Sequence, residues 1–158
     1  MNIETIKTEN FHNVIITHVN GVISPDFWEP MQHSHSHSEI FIHISGKLDI
    51  FAERSIYHME GNEIRIYKPE ELHFGKTDIS QNMEWFQLSI PKSFFECPSY
   101  KRLSDFIYDR MPGKGNVFIS KHQAKLTELM SEIFSAYKAS DPFLNELCMS
   151  NILKALYI

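Results

Sequence analysis

His33-Ser34-His35-Ser36-His37-Ser38-Glu39-Ile40-Phe41-Ile42-His43-Ile44-Ser45-Gly46 sets two histidines one residue apart, a glutamate four positions beyond the second, and a glycine that closes an apolar run. In an extended strand successive side chains alternate between faces, so His33, His35 and Glu39 share a parity and point the same way. His37 has the same parity, as an alternative to His33 or as a group lining a pocket. Imidazole nitrogens with a carboxylate oxygen suit zinc, nickel, iron or copper better than calcium, which prefers oxygen alone. A fourth ligand is expected from a neighbouring strand. His73 is the natural candidate: it closes Lys68-Pro69-Glu70-Glu71-Leu72-His73, just after a run in which Ile64 and Ile66 alternate with Arg65 and Tyr67.

The same alternation places Phe41 and His43 on the Glu39 face, where they line a ligand cavity or, more plainly for Phe41, belong to a core. Arg65, Tyr67, Trp85 and Gln87 would by parity supply polar or stacking groups to a small molecule. His12, His18, His58 and His122 have no partner at ligand spacing and are expected on the surface.

Length and composition narrow the classes. A chain of 158 residues buries one good core, and 42% apolar with 13% aromatic residues describes a folded globule. A formal charge of -5, with 15 basic residues in no block, makes this chain by itself a poor nucleic-acid binder. Cys97 and Cys148 lie far apart, which favours a reducing, cytoplasmic setting over a disulfide scaffold. No charged leader with an apolar core opens the sequence and no apolar run is long enough to span a bilayer, so a soluble intracellular protein without a membrane partner is expected.

The first half reads as short strands at 12–19, 39–45, 47–52, 55–59, 63–67 and 83–90, broken by turn residues such as Ser45-Gly46-Lys47 and Glu60-Gly61-Asn62. Such closely spaced strands form a sandwich or a small barrel. The second half changes period. Leu103, Phe106 and Ile107 fall at helical spacing before Pro112-Gly113-Lys114-Gly115, which reads as a turn. Ser120 and Gln123 form a capping box ahead of an apolar stripe of Leu126, Leu129, Met130, Ile133, Phe134 and Tyr137. Asp141-Pro142 caps a further helix carrying Leu144, Leu147, Cys148, Ile152 and Leu156. This helix runs to the last residue without a stop signal, as in a chain that continues.

The spacing from His33 through His35 and Glu39 to Gly46 resembles the first signature of the cupin superfamily, and Gly61 through Pro69 to His73 resembles the second. Phe27 stands where the first signature usually has a glycine, and the second lacks its internal glycine. The phrase from His33 to Lys47, with the helical tail, is similar to the amino-terminal sensing domain of AraC-family transcription regulators. That resemblance implies a mainly β chain with carboxy-terminal α-helices: a cupin-like double-stranded β-barrel, or jelly roll, over residues 1–98, then a helical segment with a dimerising hairpin over 99–158. It implies a metal site of His33, His35, Glu39 and His73 for a divalent transition metal (Zn, Ni, Fe or Cu). A small-molecule effector, a homodimer through the carboxy-terminal helices, and DNA contact only through a carboxy-terminal domain absent from this chain follow from the same likeness. The role implied is sensing, not catalysis. The alternative is a free-standing metal-dependent cupin enzyme, a dioxygenase or an isomerase.

Overall fold

The computed structural model describes residues 1–8, 12–23, 31–77 and 81–158. Its strands are β1 (Asn2–Thr8), β2 (Val14–Val22), β3 (Ser38–Ser45), β4 (Leu48–Ala52), β5 (Ser55–Met59), β6 (Glu63–Tyr67), β7 (His73–Lys76), β8 (Asn82–Ile90) and β9 (Val117–Ile119). Three helices, α1 (Lys101–Tyr108), α2 (Gln123–Lys138) and α3 (Leu144–Tyr157), follow β8, and β9 lies between α1 and α2. Phe27 lies outside the described residues.

The strands form one sheet of six, ordered β1-β2-β8-β3-β6-β9, and one of three, ordered β5-β4-β7. Neither sheet closes, which corrects the barrel expected from the sequence. A closed barrel pairs every strand on both sides, whereas β1 and β9 end the large sheet and β5 and β7 end the small one. Gly46 (φ 97°) carries the chain from β3 to β4, and Gly61 (φ 120°) from β5 to β6. These turns switch the chain between sheets, so the sheets stack face to face.

Alternation along the strands builds two cores. Odd positions of β3, β6 and β8 face the small sheet: Phe41, Tyr67, Met83 and Trp85 pack with Leu48, Ile50, Ala52 and Met59. Even positions face the helices, where Ile40, Ile42, Ile64, Ile66, Phe86 and Leu88 pack with Leu103, Ile107, Leu126, Met130 and Ile152. Large side chains such as Phe86, 2% exposed, are worth roughly 1.5–3 kcal/mol each when removed from water.

Three strands escaped the sequence reading. β1 precedes the first recognised strand, β7 is four residues long and follows a polar loop, and β9 sits in the segment read as a turn and loop. The capping box also differs. Ser120 Oγ accepts from the His122 amide at 3.0 Å, and Gln123 instead donates its side-chain amide to the His43 carbonyl at 2.9 Å, tying α2 to β3. Asp141 accepts from the Phe143 amide at 2.8 Å in a turn ahead of α3, which begins only at Leu144 with Phe143 as its N-cap and no side-chain cap bond, so the Asp141-Pro142 cap read from the sequence falls outside the helix start. His18 is not a simple surface residue: it stacks on Phe86 at 4.4 Å and lies 3.0 Å from Glu84.

Candidate metal centre

Strand β3 begins only at Ser38, so His33, His35 and His37 are not aligned by a regular strand. They lie on the segment that crosses from the small sheet to the large one. Its outer end is pinned by an isolated bridge between His33 and His73, with N–H···O distances of 3.0 and 2.9 Å. His73 opens β7 opposite Ala52 of β4, while Glu39 stands on β3 opposite Tyr67 of β6. The site therefore bridges the two sheets.

Glu39 is its centre. Its carboxylate has His73 Nε2 at 3.2 Å and His35 Nε2 at 3.5 Å from Oε2, and His37 Nε2 at 3.6 Å from Oε1. Gln87 donates to Oε1 at 2.7 Å. Ligand-type atoms of His33, His35 and His73 lie within 4.8 Å of one another, as do those of His35, His37 and Glu39. The imidazoles form a continuous cluster, with ring centroids 4.6 Å apart for His33 and His73 and 4.8 Å for His35 and His37. Tyr67 stacks on His73 at 3.8 Å and fixes its plane.

Burial would raise the Glu39 pKa, but the close approach of the His37, His73 and His35 imidazoles to its carboxylate outweighs it. They hold the carboxyl well below its ordinary range. Burial pushes His35 down, Glu39 opposes this, and His37, His73 and His33 reinforce it. An ionised carboxylate beside an imidazole biased towards its neutral form is the protonation pattern a transition metal requires.

Hydrogen bonding also fixes which nitrogens face inwards. His73 donates Nδ1–H to the Glu71 carbonyl at 2.8 Å, and His33 donates Nδ1–H to the Met31 carbonyl at 2.9 Å. In their neutral forms both rings then present the Nε2 lone pair, the arrangement by which outer partners orient metal-ligating histidines. For His73 that lone pair faces a carboxylate oxygen at 3.2 Å, so a cation must be shared between them, either a proton or a metal ion. The donor set fits a divalent transition metal.

The other residues singled out in the sequence divide by role. Gln87 orients Glu39. Phe41, 7% exposed, is core and lies under the Arg65 guanidinium at 3.7 Å. His43 is buried and donates Nε2–H to the Gly46 carbonyl at 2.7 Å. Trp85 is buried opposite His43 across β8 and β3.

Sequence reasoning missed a supporting network behind His73. The buried Glu71 carboxylate accepts from Arg110 Nη2 at 2.7 Å, the Gly113 amide at 2.7 Å, Asn116 Nδ2 at 3.0 Å and the Lys68 amide at 3.0 Å. The Lys68 amide is local, but Arg110, Gly113 and Asn116 come from some forty residues downstream, and no local spacing announces them.

A family model for the AraC-like ligand binding domain matches residues 22–156. The chain belongs to this family. No curated protein matches it significantly. Among solved structures it is similar to a cupin-like protein from Thermotoga maritima (17% identity, 58% of this chain and 69% of that chain, TM-score 0.45). It is likewise similar to an RmlC-like cupin family protein from Methanocaldococcus jannaschii (18% identity, 57% and 81%, TM-score 0.44). A third similarity is to AerE from Microcystis aeruginosa (15% identity, 73% and 46%, TM-score 0.46).

The family's ligand-binding character and the His/Glu cluster together make this a domain equipped to bind a metal ion or a ligand. The expectation that catalysis is absent does not stand, because the cluster of His35, His37 and Glu39, with His33 and His73 beside it, is a donor set that metal-dependent enzymes also use. Among the described residues, no helix is long and apolar enough to cross a membrane.

Proposed function

We propose that this chain is the ligand-sensing and dimerisation domain of an AraC-type transcription regulator, with a divalent transition metal held by His35, Glu39 and His73 and completed by His33 or His37. The observation that carries the metal part is the 3.2 Å approach of His73 Nε2 to Glu39 Oε2 with His73 Nδ1 already committed to the Glu71 carbonyl. The family match supports the sensing part. When bound, the ion supplies a Lewis-acidic position for an oxygen-bearing ligand. Glu39 and the imidazoles orient it, and Gln87 holds the carboxylate. Contact with DNA falls to a further carboxy-terminal domain.

Dimerisation through α2 and α3 fits the apolar side chains this hairpin leaves in water, among them Phe143 (69% exposed), Tyr157 (54%) and Met149 (44%). A ligand that favours one arrangement of the paired helices would then shift where the DNA-binding parts sit.

A second reading, a metal-dependent cupin enzyme such as a dioxygenase or an isomerase, is favoured by one observation. The side chains of His35 and His37 are 31% and 32% exposed above a Glu39 side chain that is only 5% exposed, so the cluster opens to solvent on one side.

Thermal-shift screening of metal-loaded protein against a metabolite panel, with sedimentation of each hit, separates the readings. A stabilising ligand recovered unchanged, on a dimeric protein, supports sensing. Conversion of that ligand by the metal-loaded protein, lost on His35→Ala, selects the enzyme.

A further inference from the structure

On the inner face of the large sheet, below the metal cluster, three buried polar atoms have no hydrogen-bond partner: Arg65 Nε, Trp85 Nε1 and His43 Nδ1. They occupy one patch. Phe41 pairs with Arg65 on one side and Gln87 on the other, and the next row joins His43 to Trp85. The Arg65 guanidinium folds over this patch, with Cζ 3.7 Å from the centre of the Phe41 ring.

Arg65 is 7% exposed, and among the described residues no carboxylate forms an ion pair with it. The Glu39 charge acts on it without an ion pair, and Glu39 is itself engaged by His35, His37, His73 and Gln87. A buried cation without a counter-ion is costly, and stacking on Phe41 offsets only part of that cost. Structural arginines are normally paired, as Arg110 is with Glu71. An orphaned guanidinium beside a ligand-type cluster is better explained by an anion that arrives from outside.

The neighbouring atoms refine the anion's chemistry. The Trp85 indole N–H only donates, as does the guanidinium. His43 donates from Nε2 to the Gly46 carbonyl at 2.7 Å, so Nδ1 carries a lone pair and accepts. Burial and the neighbouring Arg65 charge both push His43 down and keep it in that neutral form. The patch thus offers two donors of the kind that bind an oxyanion and one acceptor that requires a hydroxyl or amine.

We propose that this patch recognises a small hydroxycarboxylate, with Arg65 and Trp85 binding the carboxylate and His43 Nδ1 accepting a hydrogen bond from the hydroxyl. The proposal rests on the ligand-binding reading and names the class of effector, whether the domain senses or transforms it. Phe41, Tyr67 and Trp85 are the apolar walls against which its carbon skeleton packs.

Calorimetric titration and thermal shift of both metal-free and zinc-loaded protein test this, with lactate and mandelate as probes. Propionate and phenylacetate lack the hydroxyl, lactamide lacks the charge, and inorganic phosphate is a bare oxyanion. Lactate or mandelate is expected to bind, about tenfold more tightly than its deoxy counterpart, the size of one hydrogen bond to a buried acceptor. Lactamide is expected not to bind. R65M should abolish carboxylate binding while raising the melting temperature of the ligand-free protein, because it removes an unpaired buried charge. R65K keeps the charge but loses the fork, so it is expected to bind about tenfold or more weakly, and it carries the test if R65M does not fold.

Equal binding of lactate and lactamide, binding of phosphate alone, no binding of any carboxylate, or carboxylate binding unchanged in R65M or R65K would overturn the proposal. Arg65-dependent binding in a protein that takes up no metal upholds it while removing the metal site. Normal metal uptake without Arg65-dependent binding does the reverse.

Discussion

His73 Nε2 lies 3.2 Å from Glu39 Oε2, across the gap between the two sheets, while the opposite nitrogen of the same ring donates to the Glu71 carbonyl at 2.8 Å. Two ligand atoms at this separation can share one ion whose bonds are about 2.0–2.2 Å long. An ion held between them would link the two sheets, and its removal is then expected to loosen both the site and the sandwich.

Gln87→Leu removes the 2.7 Å hydrogen bond to Glu39 Oε1 without touching an imidazole. Partners that orient a metal ligand are typically worth about 10- to 100-fold in affinity. A loss of that size in zinc affinity, read by competition with a chromogenic chelator, is expected with little change in the melting temperature of the metal-free protein.

Glu71→Ala leaves the Arg110 side chain, 11% exposed, without its carboxylate. Breaking a buried pair in this way costs about 3–5 kcal/mol, to be checked by urea denaturation. Metal affinity should fall as well, because the Glu71 carbonyl that holds His73 sits on the same loop.

The same network sets an acid limit. Burial works to raise the Glu71 pKa, but Arg110, the Gly113 amide, Asn116 and the Lys68 amide outweigh it and hold it below the ordinary 4.5. A carboxyl lowered on folding contributes stability that is fully present above its unfolded value and lost as pH falls through its folded value. Urea midpoints of the metal-free protein should hold from pH 7 to about 5 and fall below about 4.5. The fall should be shallower in Glu71→Gln.

Gly46→Ala tests the turn that switches sheets. The residue has φ 97°, and an added Cβ would lie 2.6 Å from Met83 Cγ and 3.0 Å from the Asn82 carbonyl oxygen. Strain of this kind costs roughly 1–3 kcal/mol, and the clash adds to it. A lower melting temperature is expected, with metal affinity reduced because β3 can no longer place Glu39.

The proximity of His33, His35, Glu39 and His73 was more legible than the architecture, because residue type and spacing mark candidate ligands. Parity put them on one face, although His33 to His37 are gathered by a crossing segment and the bridge to His73, not by a strand. The open sandwich was not legible, since a barrel and a sandwich use the same alternating strands and differ in whether edges such as β1 and β5 find partners. Gln87 read as a pocket residue because parity gives the face and not the neighbour. Glu71 and Arg110 pair across 39 positions, a contact that only tertiary packing brings about.

The most direct test is the metal content and metal response of protein purified without a histidine tag. Elemental analysis is expected to find one zinc, nickel, iron or copper ion per chain after reconstitution. Its binding should raise the melting temperature of the wild type and leave Glu39→Gln and His73→Ala unshifted. A wild-type protein that retains no ion and shows no thermal shift with any of the four metals, while remaining folded, would contradict the metal centre.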